Sequence, residues 1–181
     1  MSNNNLSGRL PRQLWNVTTL RELYIANISL TAGGIPKEIV YLNNLEILDM
    51  SDNNLSGPFP RQILNITSLR QLYLGGASLN GRLPKDICSH NNLQRLKLLD
   101  LSSNKLQGDI PSSLYQCPQL ESIDLSDNNF SGYVSAQIWN ITLLKVLDLT
   151  SNNLIDFGVN GKATALASND IIQFLNNMMY I

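Results

Sequence analysis

The chain has little of what catalysis and metal binding usually need. Its 181 residues include one histidine, His90, and two cysteines, Cys88 and Cys117. One His and two Cys fall one ligand short of a closed zinc site, and two Cys do not make a disulfide-rich scaffold. Charged residues make up 15% of the chain and nearly cancel, leaving a formal net charge of −1. That balance gives no reason to expect nucleic acid or an anionic membrane as a partner. No apolar run approaches the ~20 residues that cross a bilayer, so no membrane contact is expected within this chain. No basic stretch leading into an apolar one opens the sequence, so no signal peptide is visible. No nucleophile–base pair can be named. Neither an enzymatic activity, a cofactor nor a metal site is therefore expected.

What the chain has is self-similarity. "MSDNNLSGPFPRQILNITSLRQLY" (50–73) overlays residues 1–24 and, further on, "LSDNNFSGYVSAQIWNITLLKVLD" (125–148). A period of about 24 lies inside these offsets, and such a period marks stacked repeats. The units read L-x-x-L-x-L-x-x-N-x-L-x-G-x-I-P. Their L-x-L pairs are Leu23/Ile25, Leu48/Met50, Leu72/Leu74, Leu99/Leu101, Ile123/Leu125 and Leu147/Leu149. Each pair is a short strand with one buried face, because strand side chains alternate with period two. The next apolar residue (Leu55, Leu79, Leu106, Phe130, Leu154) turns back into the same core. The Asn of each unit (Asn4, Asn53, Asn104, Asn128, Asn152) carries two donors and an acceptor for backbone groups freed at the bend. Ile28 and Ala77 occupy that slot in two units, so an amide column is expected to break there. No unit buries its apolar edge alone; stacked neighbours make one continuous core.

With these residues in place, the chain resembles the leucine-rich repeat family. The segments "LSGPFPRQI" and "LQGDIPSSL" resemble its plant-specific subfamily. The resemblance covers residues 1–157 and implies an α/β right-handed solenoid, with a parallel β-sheet on the concave side and loops or 3₁₀ turns on the convex side. It implies a fragment or short homologue of a receptor-like kinase or receptor-like protein ectodomain, since no cysteine-containing caps and no kinase motifs accompany the array. Such ectodomains bind proteins or peptides on the concave face or flank, and a co-receptor is a further partner that the resemblance admits. An extracellular or cell-surface location follows from the same resemblance. Two other readings share the fold: a polygalacturonase-inhibitor-like protein, and an ice-binding or architectural array.

Several irregularities stand out. With an incomplete unit that opens at Met1 counted as the first, unit five, "NNLQRLKLLDL", carries an extra triplet before its strand, where a bulge is expected. In unit six Ser135 stands where Pro is expected. The tail, 158–181, departs from the repeat. Ser168 or Asn169 can N-cap a helix whose Ile171, Phe174, Leu175 and Met178 share one face, so a capping helix over the last repeat is expected. Cys88 and Cys117 lie in adjacent units but different slots. Buried free thiols are the expectation and a disulfide across the convex side is the alternative, because geometry decides.

The candidate ligand-binding residues are those facing outward beside the L-x-L leucines: Tyr24, Asp49, Tyr73, Gly75, Asp100, Asp124 and Asp148. Tyrosine offers large contact area at low entropic cost. The recurring Asp either binds a basic ligand or hydrogen-bonds locally as part of the repeat. Gly75 is expected to leave a shallow dip beside Tyr73. The two tyrosines sit in "NVTTLRELY" and "NITSLRQLY", and so belong to a duplicated two-unit module. Asn16, Asn65 and Asn140 share a slot and an N-x-T pattern, and are candidate glycosylation sites.

Overall fold

Six L-x-L segments lie side by side in register. A computed structural model describes residues 10–30, 35–156 and 164–165. The concave strands β1 (Glu22–Tyr24), β2 (Ile47–Asp49), β4 (Gln71–Tyr73), β6 (Leu98–Asp100), β8 (Ser122–Asp124) and β10 (Val146–Asp148) form one parallel sheet in that order. Leu23, Leu48, Leu72, Leu99, Ile123 and Leu147 are consecutive partners across it. Their inward side chains join Ile25, Met50, Leu74, Leu101, Leu125 and Leu149 in a single core. This is the solenoid that the resemblance to leucine-rich repeat proteins implies. The capping helix expected in the tail lies outside the described residues, as do Asn4 and Asn5.

After each concave strand the chain turns through one left-handed residue. Asn27, Asp52, Gly76, Ser103, Asp127 and Ser151 share that slot, with φ between 49° and 63°. The segment that follows is extended, and it pairs with its neighbours. Strands β3 (Gly57–Pro58), β5 (Leu79–Gly81), β7 (Lys105–Gly108), β9 (Asn129–Tyr133) and β11 (Asn153–Asp156) make a second parallel sheet, closed by antiparallel β12 (Thr164–Ala165). Loops or turns alone were expected here. The difference is that a two- to five-residue strand follows each concave strand from β2 to β10, so stacking the units pairs them as well.

Five 3₁₀ helices complete the convex side: η1 (Arg12–Asn16), η2 (Lys37–Tyr41), η3 (Arg61–Asn65), η4 (Ser112–Gln116) and η5 (Ala136–Asn140). Pro11, Pro36, Pro60 and Pro111 precede four of them, with φ from −64° to −74°. A proline ring presets that angle. Ser135 takes the slot before η5 with φ −68°, and its hydroxyl accepts the Gln137 N–H. A side-chain cap thus stands in for the ring.

The asparagine ladder is the main polar element of the interior. Asn104 Nδ2 donates to the carbonyls of Leu74, Leu101 and Ser102, at 2.8 to 3.0 Å. Its Oδ1 accepts the Leu79 N–H at 2.8 Å. Asn128 and Asn152 repeat the pattern one and two units on. Asn53 accepts from both Ile28 and Leu30 N–H. One amide therefore closes the bend of its own unit and that of the unit before. At Ala77 the amide is absent, and the main chain supplies the acceptor. The Ala77 carbonyl takes the Leu55 N–H at 3.2 Å and the Ser56 N–H at 3.4 Å.

Unit five breaks the convex column. Residues 85–95 form turns in place of a 3₁₀ helix, with His90, Asn91 and Leu93 in left-handed conformation. The extra triplet is absorbed there, and Gln94 and Asn92 side-chain amides tie the turns to the Cys88 and Asp86 carbonyls. Cys88 is bonded to Cys117, with Cα atoms 5.2 Å apart. The expectation of free thiols is thereby corrected. The turns carry Cys88 away from the slot that sequence alignment gives it and place it against the C-cap of η4, where Cys117 sits.

Two outcomes follow. Asn104→Ala strips the Leu79 N–H and the Leu74 carbonyl of partners, the Leu101 carbonyl keeping Asn128, and should lower the unfolding free energy in urea by about 2–4 kcal/mol. Cys88→Ser with Cys117→Ser opens a loop of 29 residues and should cost about 3–4 kcal/mol. Dithiothreitol should shift the wild-type melt toward that of the double variant and leave the variant unchanged.

Candidate functional site

The outward residues of the concave sheet form continuous rows across the units. At the third strand position the register reads Tyr24, Asp49, Tyr73, Asp100, Asp124, Asp148. At the first it reads Glu22, Ile47, Gln71, Leu98, Ser122, Val146. The row after the strands is Ala26, Ser51, Gly75, Ser102, Ser126, Thr150, placed by the ladder of bonds that follows it. Neighbouring members of a row are one strand spacing apart, about 4.8 Å. The sheet thus brings all seven candidate ligand-binding residues onto one surface.

The aspartates are half-committed. Asp49 Oδ1 accepts the Ser51 N–H at 3.1 Å and the Ser51 hydroxyl at 2.7 Å. Asp100 with Ser102, Asp124 with Ser126 and Asp148 with Thr150 repeat this pair of bonds. The D-x-S/T couple fixes the carboxylate through one oxygen, and no donor among the described residues bonds the other. Of the two roles open to the recurring Asp, the local one is present at all four aspartates. It does not consume the charge.

The tyrosines are held in another way. The Tyr24 hydroxyl donates to Glu22 Oε2 at 3.2 Å and the Tyr73 hydroxyl to Gln71 Oε1 at 3.1 Å, each two residues back on the same strand. Partial desolvation raises both phenols above their ordinary value. Glu22 adds to the rise at Tyr24, and Asp49 and Asp100 add to it at Tyr73. Gly75 does not leave the expected dip. A Cβ there would lie 2.9 Å from Ser102 Oγ and 3.0 Å from Asp100 Oδ1, so the neighbouring couple already fills the space.

Unaided sequence reading missed a further row at the entry to each strand: Arg21, Glu46, Arg70, Lys97, Glu121 and Lys145. Glu46 bridges Arg21 and Arg70 at 3.0 and 3.1 Å. Glu121 bridges Lys97 and Lys145 at 2.8 and 2.6 Å. The signal was present, one charge two residues before each L-x-L pair, but it appears only when units are read down a column. The two lysines hold Glu121 well below its ordinary 4.5, at about 2, chiefly through the Lys145 and Lys97 hydrogen bonds. The concave surface therefore has a basic-rich edge and an acidic row. Asn16, Asn65 and Asn140 are exposed at the last positions of η1, η3 and η5, away from both rows.

Two leucine-rich repeat family models match the chain, over residues 44–66 and 89–130. Receptor-like protein 7 of Arabidopsis thaliana is 32% identical over 111 residues, which are 61% of this chain and 11% of that protein. The chain therefore spans about a tenth of this relative's length. The ectodomain of the Arabidopsis thaliana receptor kinase SOBIR1 superposes with a TM-score of 0.67 at 35% identity, covering 74% of this chain and 70% of that one. The ectodomain of the Arabidopsis receptor kinase HAESA, crystallised with an N-terminally extended IDA peptide hormone, superposes with a TM-score of 0.74 at 31% identity. That match covers 82% of this chain and 24% of HAESA. HAESA has also been crystallised with IDA and the co-receptor SERK1.

The depressed Glu121 carboxyl sets a pH window. Its contribution is whole above about 4.5 and is lost as the pH falls through about 2. Glu121→Gln should be less stable than wild type at pH 7 and equal to it near pH 2 in matched denaturant titrations. A gap that persists at pH 2 would assign the stabilisation to something other than the carboxylate. The pair is solvent-exposed, so 0.5 M salt should narrow the gap at pH 7.

Proposed function

Given that the chain belongs to the plant-type leucine-rich repeat family, we propose that it is a non-enzymatic recognition module that holds a protein or peptide ligand on its concave face. The observation that carries this reading is the outward row Tyr24–Asp49–Tyr73–Asp100–Asp124–Asp148, which is in register across six strands. Its members are braced by bonds within their own strands, so the surface is organised before any ligand arrives, and preorganisation lowers the cost of binding. Tyr24 and Tyr73 act as anchors and the Asp row sets a preference for basic ligands. The HAESA complexes with a peptide hormone and a co-receptor support a peptide ligand, with a co-receptor as second partner.

The same reading places the chain at the cell exterior. The Cys88–Cys117 bond favours an oxidising compartment. Asn16, Asn65 and Asn140 carry N-linked glycans there, on the convex ends of η1, η3 and η5, where a glycan leaves the concave rows clear. Among the described residues no helix is long and apolar enough to cross a membrane. Residues 1–157 act as one repeat array, and the tail 158–181 as its cover.

The test is an array of randomised 12-residue peptides probed with the whole chain. Wild type should select peptides enriched in Lys and Arg. Tyr24→Ala with Tyr73→Ala, and separately Asp100→Asn with Asp124→Asn and Asp148→Asn, should lose most of that selection while melting normally. If both variants select the same peptides as wild type, the concave face is not the binding surface.

A further inference from the structure

Strand β2 lies between the two strands that carry tyrosine. The register sets Asp49 directly between Tyr24 and Tyr73. Strands β1 and β4 are two spacings apart, so the two tyrosines stand about 10 Å from each other. Both hydroxyls are tethered to the side chain two residues back on the same strand. That tether holds each hydroxyl on its own strand, so the two rings stand on either side of β2. Ile47 and Asp49 form the floor, both half-buried. Asp49 Oδ1 is taken by Ser51. Among the described residues no donor bonds its Oδ2, which is left as the acceptor at the base of the trough. Glu22 adds a second carboxylate at the rim.

We propose that Tyr24, Asp49 and Tyr73 form a clamp for one basic side chain of the ligand, arginine before lysine. This rests on the concave-face reading above and narrows it to a single subsite. A cation midway between the rings lies about 5 Å from each, inside the ~6 Å range over which an aromatic face attracts a cation. A planar guanidinium stacks on such faces while one N–H reaches the carboxylate, which a compact ammonium does less well. The same carboxylate without flanking rings recurs at Asp100, Asp124 and Asp148. Tyr73 borders Asp100 on one side only, and Asp124 and Asp148 have no aromatic neighbour in the row. The β2 position is thus the one place in the described row where a charge and two aromatic faces converge. The duplication that put Tyr at 24 and 73 leaves one aspartate-bearing strand between them, and that spacing creates the clamp.

The experiment titrates N-acetyl-arginine amide, and its neutral isostere N-acetyl-citrulline amide, into the whole chain while following the tyrosine ring signals by NMR. Arginine amide should shift the Tyr24 and Tyr73 rings together with one millimolar-range constant, and citrulline amide should bind roughly 5-fold or more weakly. Asp49→Asn should weaken arginine binding roughly 2- to 5-fold. Tyr24→Ala and Tyr73→Ala should each weaken it roughly 2- to 5-fold, with Asp49 still in place. All three positions are at the surface, and an unchanged melting temperature establishes that each variant is folded. Equal shifts from arginine and citrulline, or an Asp49→Asn chain that binds arginine amide as wild type does, overturn the clamp. Neither result touches the broader concave-face reading, which stands or falls on the peptide array.

Discussion

The side-chain amide of one asparagine per unit closes the bend after each concave strand, and it does so for two units at once. Asn104 serves carbonyls on Leu74 and Leu101 and the N–H of Leu79. A buried backbone group without a partner costs about 1–3 kcal/mol, so the bend cannot form unless the next unit stacks. This ties the polar interior to the same cooperative unit as the apolar core. Leucines alone would tolerate a slip between neighbours, but the amide requires one register. The concave rows inherit their alignment from that requirement, so a surface property is fixed by a buried one.

The exception at Ala77 shows what the constraint demands. It demands an acceptor at one place, and an asparagine is only the usual source. Ala77 is fully buried, and its carbonyl takes the Leu55 and Ser56 N–H groups. Moving the main chain that close requires room in the preceding turn. Gly76, left-handed at φ +63° and packed where a Cβ would meet Asp52 Oδ1, supplies that room. Gly75, next to it, lets the Asp100–Ser102 couple lean across. The Gly-Gly-Ala run is therefore a structural solution within the array. Tyr73, two residues before it, stands on the concave row and takes no part in that solution.

What was legible in the sequence was whatever every unit repeats: the L-x-L strands, the asparagines, the prolines before the convex turns, the outward rows. What was not legible depended on path. The disulfide required knowing that His90, Asn91 and Leu93 all turn left-handed, which brings Cys88 across to Cys117. The second sheet required knowing that short extended pieces would stack, and a two-residue strand such as Gly57–Pro58 has no periodicity to read. The clamp depends on the order of strands and on which residue faces which. The tyrosines, their outward face and their two-unit spacing were visible in the sequence, and the bonds that tether their hydroxyls and occupy one oxygen of Asp49 were not.

The spacing of the rows also limits what kind of backbone can lie along them. A ligand crossing the strands meets a new unit every ~4.8 Å, so a two-unit step is about 9.6 Å. A fully extended peptide repeats a side every two residues, about 6.6 Å, and falls out of step with both distances. A polyproline II helix has three residues per turn at about 3.1 Å each, so it returns the same face every ~9.3 Å. That pitch matches the two-unit step almost residue for residue. Tyr24 and Tyr73 are two units apart, and Asp100 and Asp148 are two units apart. A ligand in that conformation would present every third side chain to equivalent positions of the row, with no internal hydrogen bonds to give up. The two-unit duplication thus places equivalent side chains about 9.6 Å apart, close to the distance after which a polyproline II segment repeats its face.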